Sequence, residues 1–550
     1  MDDNEHRERE HFFGAAKVVA GITVLSRVLG MLREMAIVWL GARWQNDAFQ
    51  FAFAIPNLFR RLFGEGALSA AFVPVFTETA ETSSHDRASR LLANALGLLA
   101  VFLLGLMILI QAGLLAWELA LGGRPDRRLL VTLASIMLPF MVTVCLLALG
   151  SAALNCRGHF AYPAAAPIVL NVCVIAGAWL VAPYWRGDRA AQLTVIAASV
   201  ALAGVLQLGG VLWLLRRSGL SIRPRLRPVE PGVKRMLKLM GPMIVGMGFL
   251  QLSSLFDYLV QWLFAARQSL TTVNLFGATL SRPLSEGVVV RVAAAQRLYQ
   301  FPMGVLAISL GVAVFPLLSR YASRGNIAGL RDSLNRALRI AFMEGLATGT
   351  GLFLLAEPIM KLVYRHGDFS AADAVNAAFI LRRYVLGMWA YCTYQIVLRA
   401  FYSLKDAMTP VKVSCALAVL YMGIVFSLIW VPFLGEGAFG VAPAITFSVN
   451  VVVLAALLRR RLGRIGGRRL LASASRSVLC CLVMAAVVEL LKRSLAGGGS
   501  AVVVTACVPA GAAAFLLTAR IIRAAELNEL IGSLRKQPQN HGESAPSETI

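Results

Sequence analysis

Six stretches of this 550-residue chain, 91–117, 129–156, 158–185, 190–215, 413–435 and 437–458, contain no Asp, Glu, Lys or Arg. The shortest, 437–458, runs for 22 residues, and about 20 helical residues cross a hydrocarbon core. Membrane strands would alternate apolar and polar residues over about ten positions. These runs are apolar on all faces, so each must satisfy its own backbone as a helix. Less clean segments near 16–40, 48–75, 235–264, 288–318, 331–357, 373–403, 470–491 and 500–522 bring the count to about fourteen spans. The composition agrees: 58% apolar and 15% charged residues, against about 45–50% and 25% in soluble domains. The expected fold is an all-α polytopic membrane protein.

Charge sets the orientation. Arg216, Arg217, Arg223, Arg225, Arg227, Lys234, Arg235 and Lys238 follow the sixth span, and Arg459, Arg460, Arg461, Arg464, Arg468, Arg469 and Arg476 follow the twelfth. Basic loops stay in the cytoplasm, and the even parity places both chain termini there as well. The formal net charge of +24 is accounted for by topology and attraction to anionic membrane lipids, which leaves no role for nucleic acid. Residues 1–13 lack the apolar core of a cleavable signal. Residues 524–550 are polar and read as a disordered cytoplasmic tail. The eight cysteines show neither C-x-x-C nor Cys/His ligand spacing and read as small buried apolar residues.

Two sequence echoes organise the spans. Ala153-Leu154-Asn155 with Pro163 repeats as Ala400-Phe401-Tyr402 with Pro410 at an offset of 247, and Phe72-Val73-Pro74 is echoed by Val314-Phe315-Pro316 at a similar offset. Two six-helix lobes, 14–215 and 235–458, are expected about a pseudo-twofold axis along the membrane normal with a cavity between them. The linker 216–234 joins them. A second basic linker, 459–469, leads to two extra helices in 470–523.

Ionisable groups inside spans cost about 2.5–3.5 kcal/mol on insertion scales and need a reason. The first two spans hold Arg27, Arg33, Glu34, Arg60, Arg61 and Glu65, with Asp47 near an end; later spans hold Asp257, Arg297, Glu344 and Arg399. Arg27 and Glu34 are seven apart and share a helix face, and Arg61 and Glu65 are four apart and can pair. Pro56, Gly64 and Gly66 would let the second span bend and open backbone polar groups. The excess of arginine points to a cationic cavity floor for an anion; ion pairs that neutralise one another, or arginines snorkelling to headgroups, are the structural alternative. Guanidinium forks suit phosphate.

An enzyme reading finds little support. No H-E-x-x-H, G-x-S-x-G or Walker loop occurs, the six histidines fall in tails, loops or span ends, and the intramembrane carboxylates are scattered. Neither cofactor nor metal is expected.

The stretch Ser26-Arg27-Val28-Leu29-Gly30-Met31-Leu32-Arg33-Glu34, with Asp47-Ala48-Phe49, Ile55-Pro56-Asn57-Leu58-Phe59-Arg60-Arg61-Leu62-Phe63-Gly64-Glu65-Gly66-Ala67 and Ala71-Phe72-Val73-Pro74, resembles the signature of the MurJ/MviN lipid II flippases of the MOP superfamily. Gln296-Arg297-Leu298-Tyr299-Gln300-Phe301-Pro302-Met303-Gly304-Val305, His366-Gly367-Asp368-Phe369, Phe401-Tyr402-Ser403 and Thr409-Pro410-Val411-Lys412 extend the resemblance over about residues 15–522. It implies a fourteen-helix, two-lobe transporter in the bacterial cytoplasmic membrane. Such a protein moves the undecaprenyl-pyrophosphate-linked disaccharide-pentapeptide from the inner to the outer leaflet by alternating access. The family's cavity arginines match Arg27, Arg33, Arg60 and Arg297, its acidic positions match Asp47 and Glu65, and Glu34 stands where many relatives have Asp. Gln296 replaces an acidic residue of some members. Gating or ion-pair roles are expected for Glu34, Asp47, Arg61, Glu65 and Arg399, and cell-wall synthesis machinery is the expected functional neighbour.

Alternatives within the architecture are a flippase for another polyprenyl-linked glycan or a MATE-like exporter; from another class, a membrane-embedded polyprenyl-phosphate transferase. The segment 265–291 reads as a loop insertion, with Arg282 and Glu286 four apart as on an amphipathic helix. Span eleven has neither Asn nor Asp over 415–431, and the coupling ion is left open.

Overall fold

The computed structural model describes residues 2–82, 85–120, 124–267, 270–275, 277–495, 497–524 and 526–527, with side chains except at 2–17, 20, 64–67, 69–70, 85, 242–247, 249–250 and 275. Of the predicted tail 524–550, residues 525 and 528–550 lie outside the described residues, while Ala524, Glu526 and Leu527 are buried and Glu526 pairs with Arg339 at 2.7 Å. The chain runs through α1 (Asp2–Val38), α2 (Trp44–Phe59), α3 (Leu68–Thr82), α4 (His85–Ala120), α5 (Pro125–Cys156), α6 (Ala161–Ala176), α7 (Arg189–Arg217) and α8 (Pro231–Phe264). An antiparallel hairpin of β1 (Thr272–Leu275) and β2 (Ala278–Ser281) follows. Then come α9 (Val288–Val305), α10 (Ala307–Ser323), α11 (Ile327–Tyr364), α12 (Ala371–Val385), α13 (Met388–Ser403), α14 (Met408–Leu428), α15 (Ala438–Leu462), α16 (Gly467–Ser494) and α17 (Ser500–Ile521).

Ten helical runs among the described residues are long and apolar enough to cross a membrane, so the protein is an all-α multi-pass membrane protein. The other four predicted spans correspond to α1, to α2 with α3, to α8, and to α12 with α13. The first two of these carry the intramembrane charges. The last is split at Leu386-Gly387 into helices of 15 and 16 residues.

The sequence echoes fall at equivalent places. Ala153 and Leu154 are buried near the end of α5 with Pro163 in the first turn of α6; Ala400 and Phe401 are buried near the end of α13 with Pro410 in the first turn of α14. Pro74 and Pro316 both lie inside helices, α3 and α10.

The chain forms two compact units, Met1–Arg297 with Met360–Ile380 and Ser414–Ala442, and Leu298–Ile359 with Leu381–Val413 and Pro443–Ile550. The first contains α1–α8 and one end of each of several later helices. Within it, side chains of α5 lie directly on the α7 backbone: a Cβ at Gly204 would meet Thr143 Oγ1 at 2.3 Å and Phe140 Cδ2 at 2.7 Å. Small residues at such crossings permit the close approach that holds membrane helices together. Tyr162 donates to the Gln207 carbonyl at 2.8 Å, and Gln207 Nε2 to the Ala166 carbonyl at 2.6 Å.

Contacts at the helix ends of this unit sort the loops into two sets. The loops after predicted spans one, three, five, seven, nine and eleven meet one another: Arg189 pairs with Asp368, Arg267 with Asp126, and Arg291 with Asp373 and Glu436. At the opposite end, the basic linker docks on α4 through Asn94, which donates to the Arg225 carbonyl at 2.9 Å and accepts from Glu230 N at 3.1 Å. That alternation is what an even number of spans requires.

The 265–291 segment, read as a loop insertion, carries the hairpin, and Arg282 and Glu286 do not lie on a helix. Arg282 donates to the carbonyls of Leu263, Ala265 and Thr272 at 2.6, 2.9 and 3.1 Å, and Arg267 lies 3.7 Å from the Trp262 ring centroid. These backbone contacts fold the chain back as a ribbon, so Arg282 and Glu286 take separate partners.

In the second unit, Gly345 of α11 lets Trp389 and Cys392 of α13 approach, and Tyr391 meets Phe447 of α15 edge-on at 5.0 Å. The pair α16 and α17 buries Cys480, Met484, Val488, Cys507 and Phe515 together with Met343 and Leu355 of α11.

The α5–α7 crossing yields a prediction. Gly204→Val should lower the melting temperature in detergent by an overpacking cost of about 1–3 kcal/mol, whereas Gly209→Val, whose Cβ meets nothing within 4 Å, should leave it unchanged; equal melting for both would show that the crossing is not tight.

Candidate functional site

The charged cluster begins where α1 nears its end. Glu34 is buried and takes two guanidiniums, Arg33 at 3.8 Å and Arg297 of α9 at 3.5 Å. Gln50 Nε2 of α2 donates to its other oxygen at 3.2 Å. Arg33 stacks on Phe53, 5.7 Å from its centroid, and its buried Nε has no hydrogen-bond partner among the described residues. Arg60 Nε rests on the neutral Asn57 amide oxygen at 2.7 Å. Both Arg60 and Arg297 act electrostatically on Arg33, while Tyr258 of α8 feels Glu34, Arg61 and Arg297. Tyr364, at the end of α11, also feels Glu34 and Arg297. Thus Arg33 and Arg297 share one carboxylate, and Arg60 and Arg61 lie within electrostatic reach of the same group of side chains.

Span two is built for this. Pro56 removes a backbone donor within α2, and Arg60–Ala67 then winds as a π-helical segment before α3. Wide turns of this kind occur frequently at functional sites. Cys145 of α5 reaches the Phe59 carbonyl at 3.6 Å, satisfying one group at the break.

Not every predicted site residue joins the cluster. Arg27 is exposed on α1, on the same face as Glu34 and about 10 Å further along the axis, with no ion pair among the described residues. The Glu65 side chain lies outside the described residues, so its pairing with Arg61 goes undescribed. Arg399 belongs to the second unit, where its guanidinium sits 5.7 Å from the Phe315 ring of α10.

Asp47 works as a helix cap. Its buried carboxylate accepts the backbone N–H groups of Gly287 and Val290 at 2.9 and 3.1 Å, at the start of α9. Glu286 returns the arrangement by accepting Trp44 N at the start of α2 at 3.2 Å. Each carboxylate meets the positive end of the other helix. Gly287, at φ +83°, lies so close to the Ala42 carbonyl that a Cβ would stand 2.2 Å from it.

The same face carries residues that spacing arguments missed. Asp368 N donates to the Trp39 carbonyl at 2.9 Å and Trp39 stacks on His366 at 6.2 Å, which gives His366-Gly367-Asp368 a structural role. Buried Arg291 donates to Glu436 at 3.0 Å, Asp373 at 3.3 Å and Ser285 Oγ at 2.6 Å. Asp257 of α8 accepts from the Tyr421 hydroxyl of α14 at 2.7 and 2.8 Å. No local spacing links Arg291 with Glu436, 145 residues away, or Asp257 with Tyr421, 164 residues away. The only available signal was a lone charge beside an apolar run. No group of His, Cys, Asp or Glu among the described residues could hold a metal ion.

The fold has solved counterparts. A lipid II flippase MurJ in an inward closed conformation superposes with a TM-score of 0.73 at 21% identity, covering 93% of this chain and 99% of its own. An inward-facing multidrug resistance MATE family transporter of the MOP superfamily gives 0.65 at 14% identity, covering 82% and 99%. The chain therefore has the polytopic all-helical fold of these two proteins. Sequence narrows it further: residues 37–507 match the family model described as Lipid II flippase MurJ. A probable lipid II flippase MurJ of Rhizobium tropici is 32% identical over 450 residues, 80% of each chain. The lipid II flippase MurJ of Burkholderia cenocepacia is 30% identical over 462 residues, 82% of this chain and 84% of its own. The protein belongs to the lipid II flippase MurJ family.

The cap exchange is testable. Asp47→Ala removes the acceptor of two buried N–H groups, each worth about 1–3 kcal/mol when left unsatisfied. Hydrogen exchange in the peptide spanning Gly287 to Val290 should accelerate at least fivefold; unchanged protection would remove Asp47 from that role.

Proposed function

We propose that this protein translocates lipid II, the undecaprenyl-pyrophosphate-linked peptidoglycan precursor, from the inner to the outer leaflet of the bacterial cytoplasmic membrane. The observation that carries this reading is the pair of guanidiniums on one carboxylate. Charge-assisted contacts of optimal geometry run at about 2.7–2.9 Å, whereas Glu34 holds Arg33 and Arg297 at 3.8 and 3.5 Å. A pyrophosphate brings more charge and more acceptor oxygens than Glu34, so it can take both arginines with Arg60. Arg27, exposed on the same face of α1, extends the cationic path.

Lipid II enters from the side of the basic linkers, which we assign to the cytoplasm together with both termini. Anionic lipids attract these linkers. The interlocked loops around Asp47, Gly287 and Asp368 then belong to the outer face and form the closed gate of an alternating-access cycle, in which the lobes 14–215 and 235–458 rock against each other. Glu34 holds the arginines between loads, Arg61 and Glu65 tune the π-helical segment, and Arg399 adds charge from the second lobe. Release follows when Arg297 withdraws from Arg33, because the anion then loses one of its three guanidiniums. The assignment also places the protein beside the enzymes that polymerise peptidoglycan.

The deciding experiment measures lipid II accessibility at the outer face of cells whose own flippase is depleted and replaced by this chain. We expect restored accessibility, with a loss of at least tenfold for Arg297→Ala and Arg33→Ala at normal membrane levels. Full activity of either variant would sink the anion-clamp role. A well-inserted wild-type chain that restores nothing in a compatible host would shift the substrate to another polyprenyl-linked glycan. Orientation has its own check: a cysteine placed in 216–234 should resist a membrane-impermeant thiol reagent in intact spheroplasts, and labelling there would invert the topology.

A further inference from the structure

A second cationic site lies away from the cluster, where α5 and α7 end side by side. Arg157, His159, Trp213, Leu214, Arg217 and Ser218 line a cavity of about 640 Å³. Both helices close with the same cap: His159 N bonds back to Leu154 O and Gly158 N to Asn155 O, while Leu220 N bonds to Leu215 O and Gly219 N to Arg216 O. Gly158 and Gly219 take the left-handed conformation that this cap needs. Beneath, Leu154, Val211 and Leu215 are fully buried, so the rim is held by a rigid floor. Arg157 Nη2 reaches the Ser218 carbonyl at 3.4 Å across the two ends, and the Arg217 guanidinium lies 5.5 Å from the Trp213 ring.

Cations at helix C-termini are ordinarily there to offset the macrodipole, so the charge must be counted. Each end carries about half a negative charge, roughly one in total for the pair. Arg157 and Arg217 line the cavity and carry two positive charges, and the lining includes no carboxylate. About one positive charge remains over.

The surface leading to this cavity is apolar. Leu202, Val205, Leu206 and Trp213 are 54%, 59%, 49% and 60% exposed. Their spacing of three, four and eleven residues from Leu202 places them on one stripe of α7. Trp213 ends the stripe where the arginines begin, an arrangement typical of a membrane interface. An acyl chain fits the stripe and a phosphate fits the arginines.

We propose that this cavity binds the phosphate headgroup of an anionic glycerophospholipid, with one acyl chain lying along Leu202, Val205 and Leu206. The site is separate from the Arg33–Arg297 cluster and does not depend on the transported substrate.

The test uses the full-length protein in detergent micelles containing phosphatidylglycerol, with retained lipid counted by native mass spectrometry. Arg157→Ala with Arg217→Ala should reduce retention at least tenfold, and Trp213→Ala should reduce it by a smaller factor. Arg223→Ala with Arg225→Ala removes the same charge from the neighbouring linker and should leave retention unchanged. Phosphatidylcholine should not replace phosphatidylglycerol, and inorganic phosphate at 10 mM, a concentration of order a thousandfold above ordinary tight-site affinities, should not displace it. Equal loss in the linker double variant would reduce the effect to bulk charge and overturn the site. Displacement by inorganic phosphate would make it a soluble-anion pocket and overturn the lipid assignment.

Discussion

A guanidinium within a membrane-spanning helix is tolerated only where something replaces the water it has lost. In this protein that something is Glu34. It lies between Arg33 and Arg297, is itself buried, and is held by Gln50 from the next helix. A carboxylate alone at that depth would be as costly as the arginines, and the arginines without it would repel one another. The positions of α1, α2 and α9 around this point follow from that mutual need. Phe53 under Arg33 shows the same economy: ring stacking stands in for water without cancelling the charge. What is left is a positive site whose donors are not saturated.

Several of the spans that carry this chemistry are not continuous. Span two changes to π-helical winding at Arg60–Ala67, the eighth predicted span is interrupted at Leu306 between α9 and α10, and the tenth is split between α12 and α13. Uninterrupted helices such as α5 and α7 have no intramembrane charge and pack through glycine instead. Breaks in membrane helices free backbone groups, and these survive only where neighbouring protein or a polar cavity satisfies them.

Most of this architecture was legible because the bilayer admits so few solutions. Charge-free runs longer than a membrane is thick could only be helices, and Pro56 with Gly64 and Gly66 marked the break in span two. The cluster was legible in part: seven-residue spacing correctly put Arg27 and Glu34 on one face, yet it gave no sign that Arg297 would reach Glu34 from 263 positions away. Asp47 was identified as a gate or ion-pair residue by resemblance. Its capping of Gly287 and Val290 is a matter of tertiary approach that no local pattern encodes. The 265–291 segment was read as a loop insertion, and the ribbon within it was not legible for the same reason. A four-residue spacing of Arg282 and Glu286 suits a helix, but Arg282 is bound to three carbonyls that exist together only once the ribbon has folded.

The exchange of caps between α2 and α9 has a consequence for how the molecule can move. Asp47 rides on α2 but serves α9, and Glu286 precedes α9 but serves α2. Neither helix can depart with its own stopper. A small separation strips both starts at once, leaving two positive helix ends and two carboxylates without partners, and Gly287 offers no slack against Ala42. Half-open arrangements therefore have nowhere to rest: the two helices are either fully engaged or far enough apart for water to enter and take over both caps. Motion at this face is all-or-none, set by an exchange that is completed in one step or not begun.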